Sequence, residues 1–377
     1  MKSTIYEYVD GGWSAPFDTL ADGENTVVLI FADSDVALIE KPLKEVSDAY
    51  PKAIFMGASG AGMIIDDMIS DGVLIAMVLQ FEKTIVQLHY QEVKESQDSL
   101  EAGYKLAESF DKEGLKSLFV LSDGLHVNGS KLAEGMGTVL GGEVVITGGL
   151  AGDGDSFEKT WILVDRVPRE HYICALGLYG EAIEIGYGTG GGWQQIGPLR
   201  TITKSKENTL YEIDQKPALG IYKEYLGERA QYLPASGLLF PIKLIGEDGN
   251  SKIRTVLAIN EEDQSITFAG DLPEGSTISL TTSNFSSLVE GASYAAGMID
   301  TEKFDTIPSK VSIAISCVGR KLVMKQRTED ELEAVKEILG EDTRQIGFYS
   351  YGEISPANFG KCDLHNQTMT LTVLGEY

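Results

Sequence analysis

Positive charge is scarce in this 377-residue chain, where 31 lysines and arginines stand against 57 aspartates and glutamates, a formal charge of −26. Such an excess repels phosphate backbones and anionic headgroups, so neither nucleic acid nor a membrane surface is an expected partner. Cysteine is scarcer. Cys174, Cys317 and Cys362 are an odd, sparse set that fits reduced thiols in a cytoplasm and not a disulfide framework. Long apolar runs are lacking too. Val73–Leu79 falls far short of the ~18 residues of a membrane span. Met1–Asp22 carries Glu7 and Asp10 and no apolar stretch, so no secretory leader is expected and the protein reads as cytoplasmic.

What is present in quantity is glycine, 42 residues, above the ~7 % of average usage and with no tripeptide period. With 43 % hydrophobic and 23 % charged residues the composition is otherwise that of a globular protein. The glycines therefore mark turns or close backbone approaches.

Three stretches share one order. Thr26–Ala32 reads as a buried strand, Val36–Tyr50 has helical spacing at Ile39, Leu43 and Val46, and Ala53–Met56 is a second strand ending in glycines. The order returns at Leu118–Leu121, Gly129–Leu140 and Val144–Thr147, and again at Val311–Ser316, Glu329–Leu339 and Arg344–Tyr349. Asp33 precedes Gly62 by 29 residues and Asp123 precedes Gly152 by 29, whereas Cys317 precedes Gly352 by 35. Aligned on these glycines, Gly57, Thr147 and Gly347 occupy one position, and Asp153 and Glu353 follow two of the three turns.

Val73–Phe81 and Thr84–Tyr90 read as two strands of a hairpin, followed by a helix Ser99–Phe110. Arg254–Ile259, Ser265–Ala269 and Thr277–Thr282 read as strands before a helix Ser286–Met298. The glycine- and proline-rich stretch Gly186–Pro217 reads as a long loop or linker. The expected fold is α/β (α+β): two related halves of mixed β-sheets layered with helices, containing a strand–helix–strand–glycine-turn module three times. Residues 1–23 form an N-terminal extension, 24–205 one domain and 206–377 the other.

Several familiar chemistries fail on spacing. Gly186-Tyr-Gly-Thr-Gly-Gly191 has the G-x-G-x-x-G pattern, but Trp193-Gln-Gln-Ile-Gly-Pro198 cannot open the helix a dinucleotide site needs. Gly57-Ala-Ser59-Gly-Ala61 lacks the last glycine of a nucleophile elbow. Cys362 and His365 are three apart, yet His89, His126 and His171 add no paired spacing, so no metal is expected. Cys317 beside Arg320 could be an activated thiol nucleophile, although no histidine base accompanies it. Asp153 and Glu353 at strand ends, with Arg320 on the same edge, are a stronger constellation, because a guanidinium can clamp a carboxylate while an acid holds an amine.

At these turns the residues resemble a known family. Ser122-Asp-Gly-Leu-His-Val-Asn128-Gly129, Gly148-Gly-Leu-Ala-Gly-Asp153 and Gly192-Trp193 are similar to the FIST N domain. Pro217-Ala218, Phe240-Pro241, Arg254, Phe268-Ala-Gly270, Ser316-Cys-Val-Gly-Arg320, Gly347-Phe-Tyr-Ser-Tyr-Gly-Glu353 and Leu364-His-Asn-Gln-Thr368 are similar to the FIST C domain. The resemblance implies a sensory role without enzymatic activity. Family members are thought to bind small ligands such as amino acids and to work with histidine kinases, diguanylate cyclases or chemotaxis receptors. Some carry haem on a histidine and sense nitric oxide. The family's usual G-C-S-T-A-G-E turn is here Gly57-Ala-Ser-Gly-Ala-Gly-Met63, without the thiol and the acid.

The reading that follows is a stand-alone ligand-binding protein signalling to a separate partner. Its candidate ligand-binding residues are Arg320, Glu353, Asp153, Tyr351, His365, Asn366, Trp193, Asp123, Asn128 and Cys317. No cofactor is expected. If haem is bound, the alternative, His365 or His126 is the axial ligand.

Overall fold

The computed structural model describes residues 1–246, 251–356 and 362–377. Local signals set its helices. In α1 (Val36–Ala49), Asp35 caps the start by accepting the Ala37 N–H, and Ile39, Leu43 and Val46 face inward. After α2 (Ser99–Glu108), α3 (Gly129–Leu140) starts at Asn128, whose side chain accepts the Lys131 N–H. The others are α4 (Ala218–Leu226), α5 (Phe285–Gly297), α6 (Val318–Met324) and α7 (Glu329–Leu339).

Three strand pairs are parallel: Thr26–Ala32 with Ile54–Ser59, Leu115–Ser122 with Val145–Leu150, and Lys310–Cys317 with Arg344–Ser350. Each pair sits inside its own mixed sheet. On the outer edge of the first strand lies an antiparallel one, Leu74–Gln80, Tyr172–Tyr179 or Met369–Glu376. Beyond that lies Lys2–Val9, Ile85–Glu92 or Ile183–Gly190. The strand after each second-strand turn leaves its own sheet. Met63–Ile65 joins Arg344–Ser350, Ile162–Val164 joins Ile54–Ser59, and Gly352–Pro356 joins Val145–Leu150. The three sheets thus exchange strands in a closed cycle.

Alternation along the first strands explains the layering. Phe31, Leu121 and Ile315 fall in one shared core between the sheets, where the Phe31 and Phe348 rings lie 4.6 Å apart. The intervening Ile30, Val120 and Ala314 face the helical layers.

Four expectations change. The strands Leu74–Gln80 and Ile85–Glu92 do not form a hairpin. The first is flanked on both sides by Thr26–Ala32 and Lys2–Val9, so it has no free edge, and the second pairs in the next sheet. Residues 1–23, read as an extension, supply Lys2–Val9, aligned with Leu74–Gln80 from Lys2↔Gln80 to Tyr8↔Leu74. The stretch Gly186–Pro217, read as a linker, takes in the end of the strand Ile183–Gly190 and all of Gln194–Lys206 and Thr209–Ile213. A Cβ on Gly188, Gly190 or Gly192 would come within 1.9, 2.1 and 1.9 Å of the carbonyl oxygens of Ala295, Gly291 and Ser287. These glycines let the backbone of α5 lie directly on the strand, which is why they recur at every second residue.

Gln194–Lys206 begins an eight-stranded sheet with its own core around Ile202, Leu210, Tyr222 and Phe268. The expected strand Arg254–Ile259 is divided there: Ser251–Arg254 pairs on one side and Val256–Asn260 on the other.

Candidate functional site

The ends of the three first strands are equivalent in their backbone bonds. The amides of Asp33, Asp123 and Cys317 donate to the carbonyls of Val73, Tyr172 and Thr368 at 2.9, 2.9 and 3.0 Å. Beside them the three glycine turns hold one another: Ala61 N–H donates to Tyr349 O, Gly152 N–H to Ser59 O and Tyr351 N–H to Leu150 O. The expected site residues lie around this ring, but in different environments.

Asp123 is fully buried. Its Oδ1 accepts from the amides of Leu125 (2.8 Å) and His126 (3.1 Å) and from the Thr160 hydroxyl (3.0 Å). Its Oδ2 accepts from the His171 amide (2.6 Å) and lies 3.0 Å from His126 Nδ1. Burial works to raise its pKa, but the donors of His171, Leu125 and His126 outweigh it and hold the carboxylate below its usual range. Cys317 occupies the corresponding position in the third sheet. The residue is 3 % exposed, and burial, reinforced by the nearby Glu353, pushes the thiol pKa well up. A nucleophile needs an accessible thiolate, so the activated-thiol reading of Cys317 loses its physical basis.

Arg320 does not face a ligand. It is fully buried, and Nε (2.9 Å) and Nη2 (2.6 Å) donate to one oxygen of Glu331. Nη2 also donates to Leu288 O (2.8 Å) and Nη1 to Gly191 O and Gln367 O. The other Glu331 oxygen accepts from Ser316 (2.9 Å) and Tyr349 (3.0 Å). Every guanidinium donor direction is used, so the expected carboxylate clamp at Arg320 is corrected to an internal ion pair tying α6 and α7 to Gly191. Trp193 belongs to the same joint, since its indole N–H donates to Gln367 O at 3.1 Å.

Glu353 is equally enclosed. Ser350 donates to one oxygen at 2.6 Å, and the Thr368 amide (3.1 Å) and hydroxyl (2.8 Å) donate to the other. Burial raises its pKa to about 7 against these bonds. Asp153 sits apart from it, accepting from the amides of Phe157, Glu158 and Lys159 and from the Tyr351 hydroxyl. Tyr351 stacks on Phe157 with centroids 4.5 Å apart. Asp153 and Tyr351 are therefore together, organising the 153–159 loop, while Glu353 belongs to a separate buried network.

His365 lies on Cys362–His365 with Nε2 3.4 Å from Ser355 O, and burial lowers its pKa to about 4. Asn366 is 1 % exposed, and neither polar atom of its side chain finds a partner among the described residues.

A cavity of about 580 Å³ opens elsewhere, between α3 and the eight-stranded sheet. Lys131 and Glu134 line it from α3, Lys252, Arg254 and Asp271 from the eight-stranded sheet and the loop after Ser265–Phe268, and Asp363 from Cys362–His365 at the edge of the sheet that holds Leu115–Ser122. Lys131 bridges to Glu134 (2.9 Å) and Asp271 (3.4 Å), and Lys252 pairs with Asp363. Arg254 is 2 % exposed and donates to the carbonyls of Asp271, Ile253 and Leu364 at 3.2–3.3 Å. Its burial pulls the guanidinium pKa down, opposed by Asp363 and Asp271. Gly270 makes room for it, because a Cβ there would lie 2.8 Å from Arg254 Nε. Of the expected residues only Asn128 reaches this region: while capping α3 it donates to Asp271 at 3.0 Å. Spacing did not point to the cavity because its charges come from three segments about ninety or more residues apart; the one available signal was Arg254, a cation just before the apolar run Val256–Ile259. No histidine is among the lining residues, so the cavity offers haem no axial imidazole.

Comparison with known proteins identifies the class. The FIST N domain model matches residues 26–216 and the FIST C domain model residues 218–356. The chain belongs to the FIST family, which is associated with sensory roles in signal transduction and not with catalysis. The two matched segments meet at the cavity, α3 on one side and Lys252, Arg254 and Asp271 on the other. An uncharacterized protein of Methanocaldococcus jannaschii is 26 % identical over 247 residues, covering 57 % of this chain. The match spans 46 % of that relative's length. A crystal structure of cyanuric acid hydrolase from A. caulinodans aligns over 100 % of this chain and 98 % of its own at 8 % identity. Its TM-score is 0.37, too low to bear on fold or chemistry. Among the described residues no helix is long and apolar enough to cross a membrane.

Proposed function

We propose that this FIST protein is a sensor for a small zwitterionic metabolite, an amino acid or a close relative, and that the ligand lies in the cavity between α3 and the eight-stranded sheet. The supporting observation is the lining: cations (Lys131, Lys252, Arg254) and acids (Glu134, Asp271, Asp363) on both walls of a space whose volume lies in the ~300–1,000 Å³ range of small-molecule pockets. Arg254 and a lysine would receive the carboxylate, and Asp271 or Asp363 the ammonium group. The ion pairs Lys131–Asp271 and Lys252–Asp363 then exchange one partner for a ligand group of the same sign, which limits the desolvation cost of entry. Because the walls belong to the FIST N and FIST C segments, a bridging ligand favours one spacing of the two. It shifts that balance only by its differential affinity for the two states. The output passes to a separate protein, a histidine kinase, diguanylate cyclase or chemotaxis receptor.

Calorimetry against a panel of amino acids, with amine-only and carboxylate-only analogues, tests this reading. One zwitterion is expected to bind, with both analogues at least tenfold weaker. Arg254→Gln and Asp271→Asn should each weaken binding by a similar factor, with unchanged circular dichroism. A silent panel with no shift in melting temperature at millimolar ligand overturns the proposal.

A further inference from the structure

His126 and His171 are 45 positions apart in sequence, yet their rings stack with centroids 3.8 Å apart. One ligating atom from each ring and one carboxylate oxygen of Glu170 lie within 4.8 Å of one another. We infer that His126, His171 and Glu170 form a binding site for a divalent transition-metal ion of the zinc class, apart from the cavity.

The surrounding bonds favour a ligating role over a chance meeting. Asp123 is buried and accepts from His126 Nδ1 at 3.0 Å. A carboxylate is an acceptor only, so that nitrogen carries the proton and Nε2 keeps its lone pair for a metal. This carboxylate–histidine relay is the usual support of a metal-bound imidazole. The same carboxylate accepts the His171 amide at 2.6 Å, so one anchor fixes both histidines. His171 is held at φ 64°, a left-handed conformation that non-glycine residues adopt at a cost. Its buried Nδ1 finds no hydrogen-bond partner among the described residues. A bound cation would satisfy such a nitrogen, directly or by ordering the ring.

The donor set decides the class of ion. Two imidazole nitrogens and one carboxylate suit zinc, cobalt or nickel, whereas calcium and magnesium call for oxygen shells. Glu170 is exposed and His126 and His171 are half-buried, so the site opens to solvent. Three protein ligands leave a fourth tetrahedral position for water or an external ligand. Bonds of about 2.0–2.1 Å lie in the ring planes, so one imidazole must turn out of the present stack, where the planes are 29° apart, to bring both lone pairs to one ion, and the exposed Glu170 side chain is free to follow.

Metal-free protein titrated with Zn²⁺ by calorimetry, and with Co²⁺ by visible absorption, tests the inference. One equivalent is expected, with Co²⁺ giving the intense d–d bands of a tetrahedral site. His126→Ala and His171→Ala should each weaken binding at least tenfold. Glu170→Gln, an exposed change that spares the fold, should weaken it several-fold, and His89→Ala should leave it unchanged. Asp123→Asn would act as a positioning change, lowering affinity while the Co²⁺ bands persist. Failure to bind stoichiometrically at micromolar metal, or binding unaltered in a His126→Ala/Glu170→Gln double variant, overturns the assignment.

Discussion

Glu353 and Arg320 differ in how burial is compensated. Arg320 has a full counter-charge in Glu331, whereas the hydrogen-bonding partners of Glu353 are the neutral Ser350 and Thr368. Its pKa is accordingly raised from 4.5 to about 7. Between those values the folded protein holds a proton that the unfolded chain releases, so the penalty is absent below the unfolded pKa and grows as pH rises through the folded one. The shift corresponds to a loss of up to about 3 kcal/mol by pH 8. Glu353→Gln removes the titration while its amide oxygen can still accept from Thr368 and the rotatable Ser350 hydroxyl can accept from its NH₂. Urea unfolding at pH 5 and pH 8 should show the stability of the variant relative to the parent rising by about 2.5 kcal/mol at the higher pH, since part of the penalty is already present at pH 5. A pH-independent difference would show that Glu353 titrates normally.

Glycine is where element-scale structure was most legible, and also where a one-residue error entered. The three strand–helix–strand stretches were readable because buried parallel strands are continuous apolar runs and the intervening helices carry 3.6-residue spacing. Alignment on the turns put Thr147 opposite Gly57 and Gly347, but the ladders pair Ile30 with Gly57, Val120 with Gly148 and Ala314 with Gly347. At each of these positions a Cβ would strike the partner strand: 2.6 Å from Ile30 O, 1.9 Å from Val120 O and 1.8 Å from Ala314 O. The second turn is one residue shorter on its glycine side, which spacing alone does not reveal. The strand–strand partners were illegible for a related reason, because periodicity tells which face is buried but not which sheet a short strand enters. Gly347→Ala, at the tightest of the three contacts, is expected to destabilise the protein by about 3 kcal/mol or more, since backbone and not a flexible side chain must move. Chemical denaturation measures it, and a change under about 1 kcal/mol would mean that the strands separate easily.

At the scale of the molecule, the sequence boundary near residue 205 and the structural boundaries do not coincide. A chain ending there would contain two of the three parallel pairs but not the strands that complete them. Met63–Ile65 would lose Arg344–Ser350, Val145–Leu150 would lose Gly352–Pro356, and Ile183–Gly190 would lose Met369–Glu376. The shared core would lose Ile313, Ile315 and Phe348, leaving Phe31 and Phe119 facing water. Exposed edges together with an open apolar face make a fragment prone to association and weakly cooperative. Residues 1–205 expressed alone are therefore expected to bind a hydrophobic dye and to melt without a sharp transition, whereas the full chain melts in one main step. Adding residues 206–377 as a separate polypeptide should restore the sharp transition, because the cycle of exchanged strands would then close by association. A fragment 1–205 that melts cooperatively on its own would instead make the exchanged strands peripheral. The coupling proposed for the ligand cavity would then have to act through α3 and the eight-stranded sheet alone.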